Sequence, residues 1–147
     1  MDIQIKCLEH FDGLALPGYA TADSAGMDLR CALKESVLLI AGSRLAIPTG
    51  LCIAIPTGFE GQVRPRSGLA FKHGVTVINS PGTIDADYRG EIKVALVNLG
   101  QTPFTIERGM RIAQLVIGPV TRVQWQIMSE LPQSVRGSGG FGHTGKK

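Results

Sequence analysis

Arg64-Pro65-Arg66-Ser67-Gly68 sets two guanidinium groups and a hydroxyl beside a glycine, where backbone amides can approach a ligand. Guanidinium donors match phosphate oxygens, and a glycine turn presents N–H groups, so the set suits a phosphate; it also suits an ordinary charged turn before a short helix. Downstream, Asn79 to Gly90 is rich in turn residues and lies between two β-like runs, which predicts a hairpin. A hairpin mouth offers backbone donors and acceptors that can read the edge of a flat base, and the Asn79 amide supplies both kinds of group. Asp87 and Gly90 can simply build the turn, and for Asp87 that is the better account. Asp85 differs because it follows Ile84 at a strand end, where a carboxylate ionised at neutral pH can accept a proton from water. Near the C-terminus, Arg136 and Phe141 stand among glycines as a cation and an aromatic ring on a loose arm. That is minimal equipment for a lid that clamps phosphate and stacks on a base. Together these residues suit a ligand that carries phosphate and a flat base, with Asp85 able to take a proton from water.

Other motifs fail on context. Gly137-Ser-Gly139-Gly140-Phe-Gly142 fits a G-x-G-x-x-G pattern, but only five residues follow it, so no helix can present its N-terminus to a pyrophosphate. Gly140 to Lys147 nearly spells a P-loop, yet Lys147 stands where a Ser or Thr should hold magnesium. His10, His73 and His143 are isolated, and Cys7 with His10 is a single pair, which fits structural or surface roles better than zinc.

The elements that must carry this chemistry are short strands. Val37 to Ile40, Arg44 to Ile47, Leu51 to Ile55, Val75 to Ile78 and Ile92 to Val97 are apolar runs rich in Val and Ile between turn residues. Ile47-Pro-Thr-Gly50 returns as Ile55-Pro-Thr-Gly58, a spacing of one strand plus one turn. Further strands are expected at Gly61 to Val63, Phe104 to Ile106, Ile112 to Ile117 and Val120 to Met128. The single helical candidate is Gly68 to His73, with Ser67 as N-cap and Gly74 as a left-handed stop. The pattern predicts an all-β barrel or sandwich. From Pro132 onward glycine dominates and almost nothing can be buried, so the reading is a body over residues 1–131 and an arm over 132–147.

The chain of 147 residues is long enough for one domain with a real core, and its hydrophobic fraction of 44% is that of a globular protein. The net charge of +3 is mild and the basic residues are scattered, so no duplex-binding surface is expected. Cys7, Cys31 and Cys52 are odd in number and form no C-x-x-C pair, which suits a reducing compartment. The first residues hold no apolar signal core, and no stretch approaches the roughly 18 apolar residues of a membrane span. A cytoplasmic protein with no nucleic-acid or membrane partner is expected.

Taken in order, the segments resemble the trimeric deoxyuridine triphosphatase (dUTPase) family. Its motifs correspond to Ala25-Gly-Met-Asp28-Leu-Arg30, Arg64 to Gly68, Asn79 through Asn98, Glu107-Arg-Gly-Met-Arg-Ile-Ala-Gln114, and Arg136 to Gly142. Each is weak alone; their order and spacing from about Ala25 to Gly145 make the set specific. The resemblance implies a jelly-roll-like distorted β-barrel, a homotrimer with active sites shared between subunits, and hydrolysis of dUTP to dUMP and pyrophosphate. It implies Asp85 as the water-activating residue, Tyr88 beneath the deoxyribose, and Asn79 with backbone around Thr83, Ile84 and Lys93 reading uracil. Arg66, Ser67, Gly68 and Gln114 would hold phosphates from a second subunit, and Asp28 would support the site through water and the metal's hydration shell. Arg136 and Phe141 would arrive from a third. Mg²⁺ would be bound by substrate phosphates and water, with no direct protein ligand.

Two other readings compete. Deoxycytidine triphosphate deaminases share a similar hairpin and phosphate loop, but their catalytic glutamate aligns with Ala95 here. A non-catalytic nucleotide-binding protein could keep the fold; the presence of Asp85, Tyr88 and the arm counts against it.

Overall fold

The computed structural model describes residues 1–140; Phe141 and the residues after it lie outside them. The strands are β1 Gln4–Cys7, β2 Met27–Arg30, β3 Val37–Leu39, β4 Arg44–Pro48, β5 Leu51–Ala54, β6 Phe59–Arg64, β7 Val75–Val77, β8 Gly82–Ile84, β9 Lys93–Asn98, β10 Phe104–Ile106 and β11 Arg111–Pro119. One helix, α1 Ser67–His73, and a 3-10 turn at Glu9–Phe11 complete the described elements. All strand pairs are antiparallel, in four sheets ordered β1-β5, β3-β10, β2-β11-β6-β8 and β4-β9-β7.

The expected all-β, jelly-roll-like architecture is therefore present, as four hydrogen-bonded sheets rather than one closed ring among the described residues. Consecutive strands switch sheets: β4 pairs with β9, β5 with β1, and β6 with β11 and β8. Alternation along each strand turns one face inward, as where Leu51 and Ile53 are buried while Cys52 and Ala54 are less so. A single cluster results, with Leu29, Leu39, Ile47, Val94, Leu96, Ile106 and Ile112 at its centre. Burying each such side chain contributes about 1.5–3 kcal/mol, which is what ties the four sheets together. Among the described residues no helix is long and apolar enough to cross a membrane.

Three expectations change. Val120 to Met128 forms no strand; the chain there is exposed, with Trp125 at 90% and Ile127 at 97%. Strand-forming side chains stabilise a strand only when a neighbouring ladder accepts them, and this segment meets none among the described residues. Ser67 is the first residue of α1 rather than its cap; Arg66 holds that position, in extended conformation and without a side-chain capping bond. Gly74 does end the helix, at φ 69°. Finally, β1 and β2 carry strands that apolar patterning did not reveal, because all of β1 is exposed and β2 interleaves Asp28 and Arg30 with its apolar residues.

The predicted hairpin is the β7–β9 pair, with Val75 opposite Asn98 and Val77 opposite Leu96. Its long excursion sends β8 across to pair with β6, Ile84 lying opposite Gly61. The connection thus bridges two sheets, and a cleft opens where they part.

Candidate active site

Asn79, Thr83, Ile84, Asp85, Tyr88 and Lys93 all line this cleft, whose volume is about 370 Å³. Apolar walls come from Val63, Ile92 and Ala95. Asp85 directly follows β8, is exposed, and accepts the Tyr88 backbone N–H on its carbonyl at 3.1 Å, which closes a tight turn. That turn brings the Tyr88 ring over Gly90, where even a methyl group would collide with the phenol, and the Tyr88 hydroxyl donates to the Glu91 carbonyl at 3.0 Å. An ionisable carboxylate, an amide and a flat ring therefore face one concavity of nucleoside size.

The predicted phosphate residues gather elsewhere. In the β2-β11-β6 ladder Gln114 lies opposite Asp28 on one side and Arg64 on the other. Arg66 Nε meets Asp28 Oδ1 at 2.8 Å, and Arg111 Nη1 meets Oδ2 at 3.1 Å. Arg66 also donates to the Arg111 carbonyl at 3.2 Å, and Gln114 Nε2 to the Pro65 carbonyl at 2.9 Å. With Asp28 29% exposed, these ion pairs add at most about 1 kcal/mol each; their consequence is to hold the Arg66 and Arg111 guanidinium groups together beside one carboxylate. Ser67 and Gly68 are exposed beside them at the start of α1. None of Asp28, Arg66, Ser67, Gly68 or Gln114 lines the cleft of Asp85. Arg136 makes a third group: it is exposed, and its Nε donates to the Gly139 carbonyl at 2.7 Å within a turn.

One chain thus carries a nucleoside-sized cleft, a cationic rim and an exposed arm as separate parts. A family model described as dUTPase matches residues 12–145. The chain belongs to the dUTPase family. Similar curated proteins named deoxyuridine 5'-triphosphate nucleotidohydrolase include one from Maricaulis maris (strain MCS10), 56% identical over 99% of this chain and 97% of that protein. Another, from Rickettsia felis (strain ATCC VR-1525 / URRWXCal2), is 59% identical over 97% of this chain and 96% of its own. Among solved structures, the Staphylococcus bacteriophage 80alpha dUTPase with dUPNHPP is similar at TM-score 0.88 and 27% identity, covering 98% of each chain.

Within this dUTPase chain, Ala95 lines the cleft, and the acids that line it among the described residues are Asp85 and Glu91. Two charged residues escaped the sequence reading. Arg111 lies within the fourth motif but reveals its partnership with Asp28 only through the β2–β11 register. Glu91 follows the turn-rich segment and carries no local motif, yet it lines the cleft while its carboxylate accepts the Gly50 N–H at 2.8 Å and meets His10 Nε2 at 2.7 Å. Away from the site, burial pushes the Cys31 thiol above its ordinary value of 9.0, against smaller lowering effects from a Leu33 backbone hydrogen bond and the Arg108 charge.

Proposed function

We propose that this protein hydrolyses dUTP to dUMP and pyrophosphate, keeping uracil out of DNA and supplying dUMP for thymidylate synthesis. The observation that carries the reading is the cleft holding Asn79, Asp85 and Tyr88 together in a chain that matches the dUTPase family over residues 12–145.

In this reading Asp85 orients a water and accepts its proton as the water oxygen bonds to the α-phosphorus. The bond from that phosphorus to the bridging oxygen breaks, and pyrophosphate leaves. Tyr88 lies beneath the deoxyribose and leaves no room for a 2′-hydroxyl, a steric exclusion. Asn79, with backbone around Thr83, Ile84 and Lys93, reads uracil, and the narrow cleft excludes a thymine methyl. Arg66, Ser67, Gly68 and Gln114 hold phosphate oxygens, dispersing the charge that phosphoryl transfer concentrates.

The separation of the cationic rim from the cleft supports a homotrimer in which these parts come from different copies. The body, residues 1–131, supplies the first two parts, and residues 132–147 form an arm that brings Arg136 and Phe141 to a neighbouring site. Asp28, still partly exposed between Arg66 and Arg111, suits the water shell of a magnesium ion carried by the triphosphate. When bound, that ion neutralises phosphate charge. A cytoplasmic location fits the substrate.

The test is a product assay against a panel of nucleoside triphosphates. Pyrophosphate release from dUTP, with little from UTP, dTTP or dCTP, is expected. Ammonia release from dCTP, or tight dUTP binding without turnover, would replace this reading with a deaminase or a non-catalytic binder.

A further inference from the structure

We infer that Glu91 is a positioning residue that sets sugar discrimination through Tyr88; this rests on the dUTPase reading above. Glu91 works at two ends. Its backbone carbonyl accepts the Tyr88 hydroxyl at 3.0 Å, so the position of that carbonyl decides where the ring lies in the cleft. Its carboxylate, 14% exposed, meets two groups from parts of the chain far away in sequence: the Gly50 N–H at 2.8 Å and His10 Nε2 at 2.7 Å. A carboxylate oxygen only accepts hydrogen bonds, so His10 must carry its proton on Nε2, whether neutral or charged.

The anchorage is itself fixed. Gly50 adopts φ 70° in the turn between β4 and β5, packed against Phe11, and its carbonyl accepts the Leu8 N–H at 2.8 Å. The His10 carbonyl accepts from Arg108, which also holds the Asp12 carbonyl. Beyond Glu91, Ile92 N–H donates to the Leu51 carbonyl at 2.8 Å, while Thr49 Oγ1 donates to the Ile92 carbonyl at 2.6 Å. The loop that carries Asp85 and Tyr88 is thus pinned at its exit to the rigid β4–β5 turn. Arg89 Nη1 donates to the Tyr88 and Ala86 carbonyls within the loop, and the Glu91 carboxylate ties the loop's exit to the β4–β5 turn. Without it the Glu91 peptide can shift, and the ring with it, opening space beside the sugar.

The readout is the ratio of kcat/KM for UTP to that for dUTP, which general destabilisation of a folded enzyme does not move. Glu91→Ala should raise it about tenfold, since misplacing a contacting group weakens rejection of one extra hydroxyl. Glu91→Gln keeps an acceptor for Gly50 and should restore most of the discrimination. His10→Ala removes one outside partner and should raise the ratio by about threefold. In a Tyr88→Phe background the Glu91→Ala effect should disappear, because the two act through one hydrogen bond.

A folded Glu91→Ala with the wild-type ratio would overturn the inference, as would full additivity with Tyr88→Phe. Loss of fold in both Glu91→Ala and His10→Ala would make the pair purely architectural and also overturn it. Failure of the dUTPase reading is a different result: wild-type protein that releases no pyrophosphate from dUTP.

Discussion

Asp85 and Cys31 illustrate opposite fates for a reactive side chain. Asp85 is exposed at the end of β8 and faces a cleft, so its carboxylate is free to meet water. In Asp85→Asn, dUTP should still bind while turnover falls by about two to four orders of magnitude, the usual weight of a positioned proton acceptor. Equilibrium binding and single-turnover kinetics check both halves, and near-normal turnover would remove Asp85 from its role. Cys31 is fully buried, and desolvation raises its pKa. The folded protein therefore holds the thiol proton more tightly than the unfolded chain. The stability this contributes is complete below the thiol's ordinary value of 9.0 and is lost as pH rises through the higher folded value. Denaturation midpoints should fall with alkaline pH more steeply in the native chain than in Cys31→Ala. Parallel curves would show that the thiol does not report on folding.

At the scale of elements, apolar runs located strands well, including β3, β4, β5, β7 and β9, because each has a face that the core must take. They located partners poorly. Nothing in Gly82-Thr-Ile84 says that β8 leaves the β7–β9 hairpin to pair with β6, although that crossing opens the cleft. The segment after β11 is the converse: Trp125 and Ile127 look like strand residues, and no ladder among the described residues receives them. Removing the residues after Val135 should leave far-UV circular dichroism and the melting midpoint nearly unchanged while dUTP hydrolysis falls. A truncation that unfolds the body would contradict the division at residues 131 and 132.

At the scale of the molecule, the rim of Arg66 and the cleft of Asp85 are separate on one chain, so a site shared between copies makes a sharp prediction. Arg66→Ala and Asp85→Asn proteins should each be nearly inactive. Refolded together in equal amounts, they should regain up to about a quarter of native activity, because about that share of sites takes both intact residues from different copies. A mass measurement in solution should give three chains. Mixtures no more active than their parents would place each site within a single chain.

The family was legible in the sequence by itself, through the order and spacing of motifs that are each weak alone. Arg64 to Gly68, Asn79 to Gly90 and Arg136 suggest phosphate, base and lid by residue type and local spacing, and short Val- and Ile-rich runs mark an all-β fold. Those properties are local, since turn chemistry and strand alternation need only a few neighbours. Tertiary structure alone decided that Asp28 binds both Arg66 and Arg111, and that Glu91 is held by Gly50 and His10. Those contacts depend on strand register and on loops brought together from distant sequence. The physical reason is that burial rewards many alternative pairings of similar apolar strands, and only the complete packed core selects one.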